Sequence, residues 1–201
     1  MEIIGLSGFA RSGKDEAAKV LVEEYGFTRV AFADKLREVL HALNPLIEIE
    51  QTVKDDELAY RANPRKVYVQ DVIDAFGWDG YKETSYGTEI RRLLQRLGTE
   101  AGRETLWDTI WIDAAFKGVE SDKVVVTDAR FFNEFNAIRN RGGEIWRIER
   151  DGVGPANQHA SELEAVDYDF DYYVLNSGTL EDYHQTVAER YHQSQAMKGL
   201  V

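Results

Sequence analysis

The chain opens with Glu2-Ile3-Ile4-Gly5-Leu6-Ser7, a short apolar run that reads as a buried strand. Ala18, Leu21 and Val22 then fall at helical spacing within residues 15–25, and a glycine-bounded turn separates the two. Residues 29–32 have strand character. Asp34 stands where a helix N-cap belongs, ahead of Leu36, Val39, Leu40 and Leu43 on one helical side. Residues 45–87 are less regular, with acidic, aromatic and glycine-containing turns, although residues 67–76 predict a helix with Val69, Val72, Ile73 and Phe76 inward. This stretch reads as an insertion or mobile lid. Ile90, Leu93, Leu94 and Leu97 mark an amphipathic helix over residues 89–97 that Gly98 is expected to end, and residues 105–116 predict another, containing Trp107 and Trp111. Lys123-Val124-Val125-Val126-Thr127-Asp128 is the clearest buried strand and finishes on a carboxylate. A helix over residues 133–141, strands over 144–148 and 172–175, and a helix over 180–193 complete the alternation. The pattern predicts an α/β fold, a parallel sheet flanked by helices, with residues 1–201 as one domain and 45–87 inserted into it.

Composition narrows what such a domain does. The 201 residues include 36 Asp plus Glu against 24 Lys plus Arg, a net charge of −12, so the surface as a whole repels a nucleic-acid backbone and no nucleic-acid polymer is expected as partner. Local basic clusters remain at Arg11 with Lys14, Lys35 with Arg37, Arg91, Arg92 and Arg96, and Arg139 with Arg141, and such islands suit small anions. Cysteine is absent, which excludes disulfides and thiolate metal sites. No membrane span is expected, and the first residues lack a basic-then-apolar secretion signal, so an unexported, cytoplasmic protein is expected.

The sharpest chemical signal is Gly8-Phe9-Ala10-Arg11-Ser12-Gly13-Lys14-Asp15, which fits the G-x-x-x-x-G-K frame of a P-loop but carries Asp where Ser or Thr is usual. Because it joins a predicted strand to a predicted helix, successive N–H groups and the positive end of the helix dipole would face one concavity suited to a phosphate chain. Lys14 is placed to reach the β- and γ-phosphates, and Arg11 to add a second charge. A carboxylate at Asp15 needs a Mg²⁺ ion, a water or an acceptor group to balance it, while Ser12 or Ser7 offers an alternative hydroxyl. The other reading is an ordinary glycine-containing turn. Asp128 resembles the acid of a Walker B element, delivered towards Mg²⁺ and the transferred group, or else it caps the helix that follows. Arg130 is suited to a phosphate, or to a surface ion pair.

From these residues the chain resembles the bacteriophage deoxynucleoside monophosphate kinases, of the P-loop kinase fold. The carriers are residues 6–15, Phe32-Ala33-Asp34-Lys35-Leu36-Arg37, residues 91–100, Thr127-Asp128-Ala129-Arg130-Phe131-Phe132-Asn133-Glu134, Ala137-Ile138-Arg139 with Gly142-Gly143, His159-Ala160-Ser161-Glu162, and residues 171–181. The resemblance implies transfer from ATP to a deoxynucleoside 5′-monophosphate, with Mg²⁺ at Asp15 and Asp128 and a catalytic group of Lys14, Asp15, Asp128 and Arg130. The donor would lie on Gly8, Arg11, Ser12, Gly13, Lys14 and Asp15. It further implies Trp111 as a site aromatic, where a helical Trp after Leu106, Trp107 and Ile110 also reads as core, and Arg61 or Arg65 as an acceptor-phosphate arginine, either also readable as solvated. Lys35, Arg37, Arg92 and Gln95 are the other acceptor-side candidates, each also readable as a solvated helix face. A phage origin would put the protein in the host cytoplasm, and a homodimer is left open. Another small-molecule kinase, acting on dephospho-coenzyme A for example, and an NTP-binding ATPase or regulator are the competing readings.

Overall fold

The computed structural model describes residues 1–49, 65–154 and 168–199. The chain packs as two compact units, Met1–Ala33 with Ile112–Val201, and Asp34–Trp111. The first unit is built on a five-stranded, wholly parallel sheet in the order β2 (Thr28–Val30), β5 (Lys123–Val126), β1 (Glu2–Ser7), β6 (Glu144–Arg150), β7 (Tyr172–Asn176). The expected strands are all present, and the central three are nearly continuous apolar runs because helices cover both faces.

Side-chain alternation sorts that core into two layers. Ile3, Val124, Val126 and Ile145 point to one face with Phe135 and Ile138 of α6 (Phe132–Arg139) and Ile112 and Ala115 of α5 (Ile110–Phe116). Ile4, Leu6, Val125, Trp146 and Ile148 point to the other, against Ala17, Ala18 and Leu21 of α1 (Lys14–Tyr25) and Tyr183, Val187 and Tyr191 of α7 (Leu180–Lys198). The three-layer arrangement brings the end of β1 and the end of β5 to the same edge of the sheet, the edge where ligands bind in open α/β sheets.

The second unit differs more from expectation. Where residues 67–76 were expected to be helical, β4 (Arg65–Tyr68) pairs antiparallel with β3 (Leu46–Ile49), and α3 (Val69–Gly80) starts only after it. Val69, Val72 and Ile73 are buried as predicted, but Phe76 is 55% exposed. α2 (Phe32–Leu43) begins two residues before Asp34, so Asp34 lies in its first turn instead of capping it. Gly98 does not end α4 (Gly87–Arg96), because the chain continues helically, as a wider π-helical segment, through Leu97–Glu104. Leu36 packs on Gly98, and the Trp111 indole packs on Gly102 too closely for a larger side chain, so tertiary contact overrides the expected stop. Leu40, Ile47, Val69, Val72, Ile73, Tyr81 and Ile90 form this unit's own core. No helix among the described residues is long and apolar enough to cross a membrane.

Ile138 is fully buried, and its side chain closes on Gly5 and Gly143. Ile138→Ala should therefore cost about 2–5 kcal/mol of stability, seen as a lower urea midpoint with the native circular dichroism spectrum retained below it.

Candidate phosphate-binding site

After Ser7 the chain must leave the sheet and enter α1 within six residues, which demands backbone conformations closed to ordinary side chains. Gly8 adopts φ +148°, and a Cβ there would lie 2.4 Å from the Ile148 carbonyl oxygen of β6. Gly13 adopts φ +105°, with a Cβ position 2.4 Å from the Asn176 amide nitrogen. Arg11 itself takes the left-handed conformation at φ +66° and is exposed. The curled loop is braced from behind: Asn176 Nδ2 donates to the Ser12 carbonyl at 2.9 Å, and Tyr183 Oη donates to the Gly13 carbonyl at 3.0 Å. Burial pushes the Tyr183 hydroxyl well above its usual range, so it stays a donor at any ordinary pH.

Lys14, the first residue of α1, folds back over this loop. Its ammonium donates to the Gly8 carbonyl at 2.8 Å and the Phe9 carbonyl at 2.7 Å. Burial, then the positive charges of Arg130 and Arg147, pull its pKa down from 10.5 to about 8, against the opposing pull of Asp15 and Asp128. Three other predicted site residues, Asp15, Asp128 and Arg130, are thus brought within electrostatic reach of Lys14. Ser12 is 1% exposed, and its hydroxyl has no hydrogen-bond partner among the described residues. An orphaned hydroxyl, an ammonium bonded to neutral carbonyls and a curled run of backbone are what a polyphosphate would satisfy. The oxygen donors of Ser12, Asp15 and Asp128 are the kind magnesium accepts, and magnesium takes one or two carboxylates plus phosphate oxygens in preference to an all-protein cage.

Asp128 has a structural task as well. One carboxylate oxygen accepts the Phe32 N–H and the other the Ala33 N–H, each at 2.9 Å. It therefore caps α2 from the end of the neighbouring strand, in the place expected for Asp34, and not the helix that follows it. That following helix, α6, is capped by Glu134, which is 3% exposed and accepts the N–H groups of Arg130, at 2.7 Å, and Phe131. The pair fixes the turn that carries Arg130.

The acceptor-side candidates among the described residues lie on the second unit, and three of them are tied to a partner on their own helix. Lys35 pairs with Glu38, Arg37 with Asp34 while lying over the Trp78 ring, and Arg92 makes a two-pronged bond to Glu89. Such exposed pairs are weak and readily exchanged for a phosphate. Gln95 is exposed on α4, and Arg65 is exposed on β4. Trp111 is 6% exposed and its indole N–H donates to the Gly98 carbonyl at 2.8 Å, so that edge is already engaged. Arg61, His159 and Glu162 lie outside the described residues.

Three residues escaped the sequence reading. Asn176 and Tyr183 give no local signal, since only the fold carries them to the loop. Arg147 does give one, a cation set between the apolar Trp146 and Ile148 of a strand. It is 5% exposed and its guanidinium stacks over Phe9 of the loop, 4.5 Å from the ring centroid.

A family model described as deoxynucleotide monophosphate kinase matches residues 53–187. The chain is 27% identical to a protein of Acanthamoeba polyphaga mimivirus, provisionally named a deoxynucleotide monophosphate kinase, over 93% of this chain and 94% of that protein. It is 23% identical to the deoxynucleotide monophosphate kinase of Escherichia phage RB69, over 93% and 98% respectively. Among solved structures, a dephospho-CoA kinase from Campylobacter jejuni aligns over the whole of both chains at 11% identity, with a TM-score of 0.43.

The geometry of Lys14 makes a pH prediction. The lowered pKa of about 8 means that binding of ATP to the free protein should be level below that pH and weaken above it as the ammonium is lost. Lys14→Met should bind at least about tenfold more weakly at pH 7 and lose the alkaline fall, while keeping the native circular dichroism spectrum; calorimetric titration across pH 6.5–9.5 reads both.

Proposed function

Since this chain belongs to the deoxynucleotide monophosphate kinase family, we propose that the loop after β1 and the acid after β5 are the machinery by which it moves the γ-phosphoryl group of ATP onto a deoxynucleoside 5′-monophosphate. An oxygen of the acceptor phosphate forms the new P–O bond as the bond between the γ-phosphorus and the β–γ bridging oxygen breaks, giving ADP and a deoxynucleoside diphosphate. The acceptor phosphate is already largely ionised near neutral pH, so no strong general base is required. Positioning and charge neutralisation carry the rate.

The observation that carries this reading is the Lys14 ammonium, held among the described residues by two loop carbonyls and within electrostatic reach of Asp128, in a chain of this family. In the reaction Lys14 exchanges those carbonyls for donor phosphate oxygens. Arg130 offers a second cation to the transferring group, and Ser12 a hydroxyl. Asp15 and Asp128 are assigned to Mg²⁺, which when bound neutralises charge on the phosphates. Lys35, Arg37, Arg65, Arg92 and Gln95, with Arg61, are assigned to the acceptor, Trp111 to packing against its nucleoside, and residues 45–87 to closure that excludes water. The relatives being viral, the host cytoplasm is the assigned location.

Incubation of the protein with Mg·ATP and each deoxynucleoside monophosphate, its ribonucleotide counterpart or dephospho-coenzyme A, with products separated by chromatography, tests the reading. Deoxynucleoside diphosphate and ADP should appear in equal amounts; ADP formed equally without an acceptor, or consumption of dephospho-coenzyme A alone, would overturn it. Arg37→Ala should raise KM for the acceptor by about 10- to 100-fold and leave KM for ATP within about twofold, the loss of one charge-assisted contact on one substrate only.

A further inference from the structure

β6 runs beside β1 in parallel register, with Arg147 opposite Ser7, the last residue before the phosphate-binding loop. The register puts a guanidinium directly behind that loop, on the same face as Phe170, whose ring it also covers at 5.5 Å. Among the described residues Arg147 makes no ion pair within 4 Å and no hydrogen bond. Its partners there are the faces of Phe9 and Phe170. Burial lowers its pKa, with Glu149 and Tyr173 pulling the other way. A buried, unpaired cation is costly, and an apolar side chain of similar volume would pack the same two rings without that penalty. Packing alone gives no reason for the charge.

The charge has a direction. Phe9 presents its ring to Arg147 and its carbonyl to the Lys14 ammonium, so a single residue links the two cations. We infer that Arg147 is a positioning residue for the donor nucleotide: it fixes Phe9 at the head of the loop, and its charge, without an ion pair among the described residues, is balanced when a polyphosphate enters beside Lys14. In the free protein, Arg147 and Arg130 repel the Lys14 ammonium, while Asp15 and Asp128 stabilise it. The anion reverses the sign of that balance. The mutual repulsion of the free state becomes shared attraction to one ligand, and affinity goes to the polyanionic end of the donor. The inference rests on the kinase reading of the same loop and adds to it a residue on a different strand.

Arg147→Met and Arg147→Lys separate charge from packing. For the Met variant, KM for ATP should rise at least about tenfold while KM for the deoxynucleoside monophosphate stays within about twofold. Its nucleotide-free unfolding midpoint should equal or exceed that of the wild type. The Lys variant keeps the charge and loses the flat stack on Phe9, so it should raise KM for ATP by less. Wild-type KM for ATP in the Met variant would overturn the inference. If that variant does not fold, a Lys variant with wild-type KM for ATP does so. Wild-type protein that neither binds ATP nor forms product fails the kinase reading itself, a result separable from failure of the Arg147 inference alone.

Discussion

A buried ammonium held by two carbonyl oxygens is the contact on which the rest of this site depends. Carbonyls are neutral acceptors, so Gly8 and Phe9 satisfy the hydrogen-bonding capacity of Lys14 without balancing its charge. Burial, with Arg130 and Arg147, draws the proton off Lys14, and Asp15 and Asp128 oppose that pull without reversing it. Around that contact the fold supplies rigidity. Glycines at positions 8 and 13 let the chain curl, and Asn176 and Tyr183 hold two loop carbonyls from the far side. The parallel register brings β5 and β6 to either side. A site stressed in this way is relieved by an anion, and a polyphosphate supplies the opposite charge.

Asp128 shows how a catalytic candidate is held without a dedicated scaffold. Its two oxygens each take an N–H at the start of α2, which orients the carboxylate at the sheet edge and satisfies two of the N–H groups a helix leaves unpaired. Function and folding share one side chain.

How much of this was legible in the sequence follows from what kind of force sets each feature. The central strands could be read nearly to the residue, because β1, β5 and β6 are buried on both faces and their apolar runs have no other use. The loop could be read because glycine placement and the lysine are local. Gly98 misled because its φ is not left-handed and the packing of Leu36 and Trp111 decides the path there. Asp34 misled because the cap of α2 comes from ninety-odd residues away. Arg147 was visible as a charge within a strand, but its meaning lies in the register with Ser7, which no single sequence discloses.

Proton uptake on nucleotide binding measures the central claim most directly. At pH 8 the free protein should hold Lys14 about half protonated, and a polyphosphate beside it raises the pKa, so each ATP bound should draw in about half a proton. Calorimetric titration in buffers of different ionisation enthalpy counts those protons, with Lys14→Met as the reference. Uptake near pH 8 that vanishes in the variant is the result this account predicts. ATP binding with the same proton count in both proteins would contradict it.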